Sequence, residues 1–251
     1  MPLARVADRT ASGPVWFFDL DNTLHNASHR IFPAISANMN RFIARVLGAG
    51  GPPAEPELVN AMRQAYLRRY GATLLGMVRH HQVRPEDFLR EAHEFEDLYA
   101  MIRAERGLSR LLRRLPGRKI LLTNAPRRYA TDVMRHLGLH HHFARHIAIE
   151  SMLVHRQLRP KPSRALLRKL LAREKVAARR CVLVEDTPGN LKAAKTLGMR
   201  TAWVTQYLRP NPDVQHLGGP LSAAWSARRP VYVDVKVQSV RQLPKFLHRL
   251  R

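Results

Sequence analysis

The chain is short of three things: cysteine, acid and long apolar runs. Each shortage closes off a class of protein. A single cysteine, Cys181, stands in 251 residues, so a disulfide framework is excluded. Its position before the apolar run VLV reads as a buried, inert thiol. One thiol and no pairing suggest a reducing compartment, and the cytoplasm is the expected one. No run of eighteen apolar residues occurs, and the opening MPLARVADRTASGPV lacks the apolar centre of an export signal, so neither a membrane partner nor export is expected. Internal repeats, zinc-finger spacings, stacking-aromatic motifs and heptad arrays are missing as well. What remains is a globular chain, 45% hydrophobic, long enough for one large domain or for a domain carrying an inserted smaller one.

Acid is outnumbered by base, 19 to 43, which leaves a formal net charge of +24. Such a chain attracts polyanions at low salt. Only eight of the basic residues are lysines, and the arginines are dispersed through RFIARVLG, AYLRRYG and LLRRLPGRK. Those spacings suit solvated helix faces better than a dense nucleic-acid arm. Nucleic acid is therefore an unfavoured partner that the charge keeps open, and a basic surface around a small anionic substrate is the stronger expectation.

What is present falls into a rhythm. Apolar runs recur at VWFFDL (15 to 20), KILLTN (119 to 124), HIAIE (146 to 150), CVLVED (181 to 186) and TAWVT (201 to 205). Helical patterns such as YATDVMRHLGL and PGNLKAAKTLGM lie between the later ones. Buried strands alternating with helices predict an α/β fold with a parallel, Rossmann-like sheet. VYVDVKV alternates strictly and predicts a half-exposed edge strand before a terminal amphipathic helix. Nearly a hundred residues after the first strand hold no comparable run, only helical stretches such as ISANMNRFIARVLG, PELVNAMRQAYLRRYG, TLLGMVRHH and PEDFLREAHEF. The economical division is a core of residues 1–24 and 108–251, interrupted by an all-helical insertion over 25–107. Residues 209 to 230 read as a long irregular stretch with no assigned chemistry.

Open parallel sheets bind ligands beyond the carboxyl ends of their strands. There the sequence sets Asp19 and Asp21, then Thr123 and Asn124, then Glu185 and Asp186, with Lys161 in the intervening RPKPS. If the strands are neighbours, these groups make a kit for phosphoryl transfer. A carboxylate approaching a phosphate dianion needs its repulsion cancelled by a cation and a lysine. Mg²⁺, a hard ion that takes oxygen ligands, suits Asp19 and Asp186 together with a backbone carbonyl. Asp21 is placed to protonate the leaving oxygen and then to activate water. Bland readings compete: Asp21 as a turn residue, Thr123 as a cap, Lys161 as a solvated side chain.

The motifs DLDNT (19–23), LLTN (121–124), KP (161–162) and VEDTPGN (184–190), in that order, resemble those of the haloacid dehalogenase-like hydrolase superfamily. The resemblance implies Asp19 as nucleophile, Asp21 as general acid and base that also offers its backbone carbonyl to Mg²⁺, Thr123 and Lys161 as phosphate-binding residues with Asn124 beside them, and Asp186 as a metal ligand. Glu185 and Asn190 are expected either as further ligands or as supports behind them. The helical insertion resembles a specificity cap. DLDNTLHNASHRIFP, FLREAHEFEDL and LPGRKILLTNAP are similar to pyrimidine 5'-nucleotidases, which implies a nucleoside monophosphate as substrate. His25, His93 and Arg127 are candidate substrate contacts. Three alternatives stay open: a small-metabolite phosphatase acting on a sugar phosphate or phosphoglycolate, a hydrolytic dehalogenase, and a basic nucleic-acid-binding protein on the same fold.

Overall fold

A computed structural model describes residues 13–208 and 228–250, so most of the irregular 209 to 230 stretch lies outside the described residues. The described residues divide into two compact units, one holding 13–26, 104–208 and 228–250, the other holding 27–103.

The first unit is built on a six-stranded sheet. Its strands are β1 (Val15–Phe18), β2 (Arg118–Leu122), β3 (Arg145–Ile147), β6 (Cys181–Glu185), β7 (Arg200–Val204) and β8 (Val235–Val237). They lie in the order β3-β2-β1-β6-β7-β8, and every pairing is parallel. The apolar runs become strands because a parallel sheet is covered on both faces, so consecutive residues must all tolerate burial. VWFF and CVLVE are buried at every position. Helices α6 (Leu108–Arg114), α7 (Arg127–His136), α8 (Arg164–Arg173) and α9 (Pro188–Lys195) accompany the sheet, and the chain ends in a 3-10 segment, Val240–Phe246, and the short α10 (Leu247–Leu250). Phe17, Ile120, Leu122, Leu166, Leu170, Leu183, Leu191 and Trp203 belong to the dry cluster on one side of it. Each such fully buried side chain contributes about 1.5–3 kcal/mol.

Two details differ from the pattern read in sequence. The alternation of VYVDVKV runs over seven residues, yet only Val235–Val237 pair as a strand. Val231 is 98% exposed, and Val233 N–H donates to Pro230 O in a turn that delays the strand. The Asp234 carboxylate then accepts from the Thr201 N–H (2.9 Å) and from Lys195 Nζ (2.6 Å), fixing the turn against β7. The second detail is a small antiparallel hairpin, β4 (Leu153–Val154) and β5 (Gln157–Leu158). His155 and Arg156 occupy its turn at φ +48° and +61°, the left-handed pair that a two-residue hairpin loop demands.

The second unit contains α1 (Ile31–Leu47), α2 (Pro56–Tyr70), α3 (Thr73–His81), α4 (Pro85–Ala92) and α5 (Leu98–Met101). Pro56 and Pro85 stand at the first turns of α2 and α4, where a missing N–H costs nothing. Phe42 of α1 meets Phe88 of α4 edge to face at 5.3 Å, and Asn38 Nδ2 donates to the Glu94 carbonyl (2.7 Å). α2 and α3 approach so closely that a Cβ at Gly76 would lie 2.1 Å from Tyr66 Cγ. Among the described residues no helix is long and apolar enough to cross a membrane.

Candidate active site

The sheet order makes β1 and β6 neighbours, and their carboxyl ends deliver acid to one place. Asp19 N–H still donates to Val184 O at 3.0 Å, so the strand pairing reaches the first carboxylate and fixes its direction. Asp19, Glu185 and Asp186 are all buried, and each offers an oxygen within 4.8 Å of the others. Lys161 joins them from the loop before α8. Its Nζ donates to Asp19 Oδ1 (2.6 Å) and to Glu185 Oε2 (2.7 Å), with only 4% of the side chain exposed.

The electrostatics of this group are unbalanced. Burial, reinforced by Glu185, pushes the Asp19 carboxyl up to about 8, against the opposing pull of Lys161. Asp186 is driven well above the ordinary carboxylate range by burial, by Glu185 and by Asp19. Burial alone would favour a neutral Lys161, but Asp19 and Glu185 outweigh it and the net shift is upward. With all three ionised, the carboxylates facing one ammonium would carry a surplus of two negative charges in a poorly solvated place. The upward shifts of Asp19 and Asp186 are the resistance of the site to that state, because buried charge is tolerated only when paired. A divalent cation on hard oxygen donors would remove that surplus, so the residues fit Mg²⁺.

The oxygens are not equally available. Glu185 accepts from Lys161 at Oε2 and from the Thr187 N–H at Oε1 (3.2 Å), so both of its oxygens already serve the protein. Asp186 accepts from Thr187 Oγ1 (3.1 Å), and its carbonyl is held by Trp203 Nε1 (2.8 Å). Asp19 Oδ2 accepts a long bond from Thr23 Oγ1 (3.4 Å).

Asp21 is built differently. After β1 the chain folds back at once: Leu24 N–H donates to Leu20 O (2.8 Å), Asn22 sits at φ +56°, and Asp21 bridges to His25. Asparagine tolerates the left-handed conformation that this turn requires. The fold-back sets the Asp21 carboxylate apart from the metal-type triplet. There Oδ1 accepts from the Tyr129 hydroxyl (2.6 Å) and from His25 Nε2 (2.9 Å). Donation through Nε2 leaves His25 Nδ1 as the bare nitrogen, which is buried without a hydrogen-bond partner, the cheaper atom to leave so. Burial and the adjoining Asp21 raise the Tyr129 phenol well above its normal range, so it remains a donor.

Several expected residues therefore have other surroundings than foreseen. His25, expected to touch substrate, has no exposed surface and braces Asp21. Asn124, expected at the phosphate, spends its amide on the Lys161 backbone, accepting from its N–H (2.9 Å) and donating to its carbonyl (3.0 Å). Thr123 is buried, and its Oγ1 accepts from the Ala125 N–H (3.0 Å); that bond leaves the hydroxyl proton to be donated elsewhere. Asn190 is buried in the first turn of α9. Arg127 donates to Ser151 Oγ (2.7 Å) and lines a cleft that contains none of the acidic triplet. His93 caps α4 in the helical unit, its Nδ1 donating to Leu89 O (3.0 Å). Tyr129 and Trp203 are the residues that sequence reasoning passed over. Trp203 lies in an apolar run and Tyr129 at a buried position of α7, where their polar tips leave no periodic trace.

Residues 15–198 match the model of the haloacid dehalogenase-like hydrolase family. The chain belongs to that family. Solved structures with the same fold include a HAD phosphatase from Thermococcus onnurineus (16% identity, TM-score 0.59, covering 93% of this chain and 97% of that one). A 2-haloacid dehalogenase from Pseudomonas syringae pv. Tomato DC3000 is also similar (20%, 0.56, 95% and 100%). So is the L-2-haloacid dehalogenase from Xanthobacter autotrophicus with chloropropionic acid covalently bound (14%, 0.54, 94% and 98%). The family makes the chain a hydrolase, and the fold is shared by phosphatases and dehalogenases alike.

Proposed function

We propose that the protein is a Mg²⁺-dependent phosphomonoester hydrolase working through an aspartyl-phosphate on Asp19. One observation supports this reading above the others: three buried carboxylates share one small volume with a single lysine. Displacing halide from carbon does not call for that surplus of negative charge or for a separate acid. Asp19, Asp186 and the Asp21 carbonyl would hold Mg²⁺, which supplies positive charge against the phosphate dianion.

The protein's own groups carry the remaining steps. Asp19 attacks phosphorus and the P–O bond to the leaving group breaks. Asp21 gives its proton to the departing oxygen, which leaves as an alcohol. The same carboxylate then takes a proton from water as the water oxygen attacks the phosphoryl group, releasing inorganic phosphate and freeing Asp19. Tyr129 and His25 hold Asp21 for both transfers. Lys161 offsets charge on Asp19 and is itself braced by Asn124 and Glu185.

These groups read phosphate alone, so discrimination among substrates has to come from elsewhere. The helical unit is the proposed source, acting as a cap, with His93 its candidate contact. On the resemblance of DNTLHNASHR and FLREAHEFEDL to pyrimidine 5'-nucleotidases, we propose UMP and CMP as the favoured substrates. The test is kcat/KM for UMP, CMP, AMP, GMP, phosphoglycolate and sugar phosphates at one Mg²⁺ concentration, repeated in chelator. A sugar phosphate or phosphoglycolate ahead of both pyrimidine nucleotides by about tenfold overturns the nucleotidase reading. Full turnover in chelator overturns the phosphatase.

A further inference from the structure

The sheet unit carries a second concentration of charge, opposite in sign to the first and sharing no residue with it. A cleft of about 240 Å³ is lined by Arg127, Arg145, His146, Ile147, Ser151 and Arg173. Separate elements supply them. Arg127 opens α7, residues 145–147 are β3, Arg173 closes α8, and Ser151 ends the 3-10 turn Ile149–Ser151. β3 is the edge strand of the sheet, and among the described residues no further strand covers this side.

The carboxylates beside the cleft do not balance the guanidinium groups. Glu174, buried, pairs with Arg118 Nη2 (2.9 Å) and Arg145 Nε (3.2 Å), one acid for two bases. Glu150 accepts from the backbone N–H of Arg127 at 2.9 and 3.1 Å, and among the described residues the Arg127 guanidinium meets only a neutral acceptor, Ser151. Arg173 forms no ion pair among the described residues. Four guanidinium groups against two carboxylates leave two positive charges over. His146 adds none near neutral pH, since burial lowers its pKa and the charge of Arg127 lowers it further. Its Nδ1 is buried with no hydrogen-bond partner. Concave walls of one sign concentrate field, and guanidinium forks match phosphate oxygens two at a time.

We infer that this cleft binds a small phosphate-bearing dianion on Arg127, Arg145 and Arg173. Two uncompensated guanidinium charges suit a dianion, and a cleft of about 240 Å³ has room for a phosphate-sized group. The assignment is independent of the reaction proposed for the acidic triplet.

The probe is inorganic phosphate, titrated calorimetrically into the whole protein in chelator, which suppresses uptake at any metal-dependent site. Arg127→Gln/Arg173→Gln removes two charges from exposed side chains while leaving Arg145 paired with the buried Glu174. Arg173→Glu tests the same point by reversal at one position. Thermal unfolding followed by circular dichroism checks that each variant is folded. Phosphate affinity is expected to fall by about tenfold or more in both variants and to persist in Lys161→Ala. The inference is overturned if wild type takes up no phosphate, if both Arg variants bind as wild type does, or if Lys161→Ala alone abolishes binding. Displacement of the phosphate by a single-stranded oligonucleotide at physiological salt also overturns it, in favour of a polyanion surface.

Discussion

β1 and β6 run side by side, and their two ends have been given different work. At the amino ends stand Val15 and Cys181, with Gly13, Pro14, Pro116 and Gly117 around them. The contacts there are made with backbone: Trp16 Nε1 donates to Pro116 O (2.7 Å), Arg180 donates to Gly13 O (3.3 Å), and Gly13 and Gly117 lie so close that a Cβ on Gly13 would stand 2.7 Å from Gly117 Cα. At the carboxyl ends, four or five residues further on, stand Asp19, Glu185 and Asp186. Both ends are buried, so burial by itself does not mark the site. What separates them is whether the buried groups cancel. The amino ends are satisfied within the fold, whereas at the carboxyl ends Asp19 and Asp186 can be ionised together only with a cation from outside beside them. The rule that follows is testable: changes at one end should cost turnover, and changes at the other should cost stability.

The largest effect should come from Asp19→Asn, which keeps the volume and removes the nucleophile. Turnover should drop by about 10⁴-fold or more, while urea unfolding in chelator shows no loss of stability, because one of three crowded carboxylates is gone. Turnover within tenfold of wild type would break both the mechanism and the contrast. At the opposite end Gly117→Ala should invert this pattern. Gly117 sits at φ +84° and a Cβ there would lie 2.0 Å from Pro14 O, so a loss of about 3 kcal/mol is expected. The kcat of the molecules that remain folded should stay near wild type. A large fall in kcat at unchanged stability would show that the amino ends are not inert.

Next in size is the metal requirement. Asp186→Ala should raise the Mg²⁺ concentration for half-maximal activity by at least about tenfold, and saturating Mg²⁺ should raise the melting temperature of wild type more than that of the variant. Equal shifts would mean that the ion binds somewhere else. Tyr129→Phe sharpens the picture within the carboxyl end itself. It removes a 2.6 Å bond to Asp21 but no group that touches phosphate, so kcat should fall by about tenfold with KM nearly unchanged. A rise in KM alone would move Tyr129 from the proton-transfer apparatus to the binding surface.

The same contrast explains what could be read before any coordinates. Four of the five short apolar runs were legible as strands because strands covered on both faces exclude polar interruptions, whereas HIAIE enters β3 only through His146 and Ile147 and turns into a 3-10 segment at Ile149. Asp19, Asp21, Glu185 and Asp186 were legible because they end such runs abruptly. Lys161 came into view through its short motif and the need of the carboxylates for a cation. The rest depended on side-chain ends. Asn124 looks like a phosphate ligand in LLTN but clamps the Lys161 backbone, a contact across 37 residues. Tyr129 fills an apolar position of α7 while its hydroxyl reaches Asp21 across 108. His25 faces inward because the turn at Asn22 folds the chain back. Periodicity reports which face of an element is buried and says nothing about a polar tip on a buried ring. The hairpin at 153–158 escaped for a simpler reason: two residues per strand are too few to show a period.

The smallest effect concerns Cys181, at the same strand's other end from Glu185. Burial pushes its thiol up to about 12, so at pH 8 the thiolate fraction is on the order of 10⁻⁴. Iodoacetamide should therefore label Cys181 no faster than the protein unfolds. The sign of the accompanying stability effect follows from linkage. A thiol whose pKa is raised from 9.0 to about 12 on folding favours the fold fully below pH 9, and that contribution is lost as the pH rises toward 12. Cys181→Ala removes the titration at a packing cost of about 1 kcal/mol. Urea midpoints of the two proteins should differ by a constant amount up to pH 9, then converge and cross as wild type loses more from the titration than it gains from packing. Turnover should be the same in both. Rapid labelling of the folded protein, or a loss of kcat in Cys181→Ala, would mean that the amino end of β6 takes part in the chemistry after all.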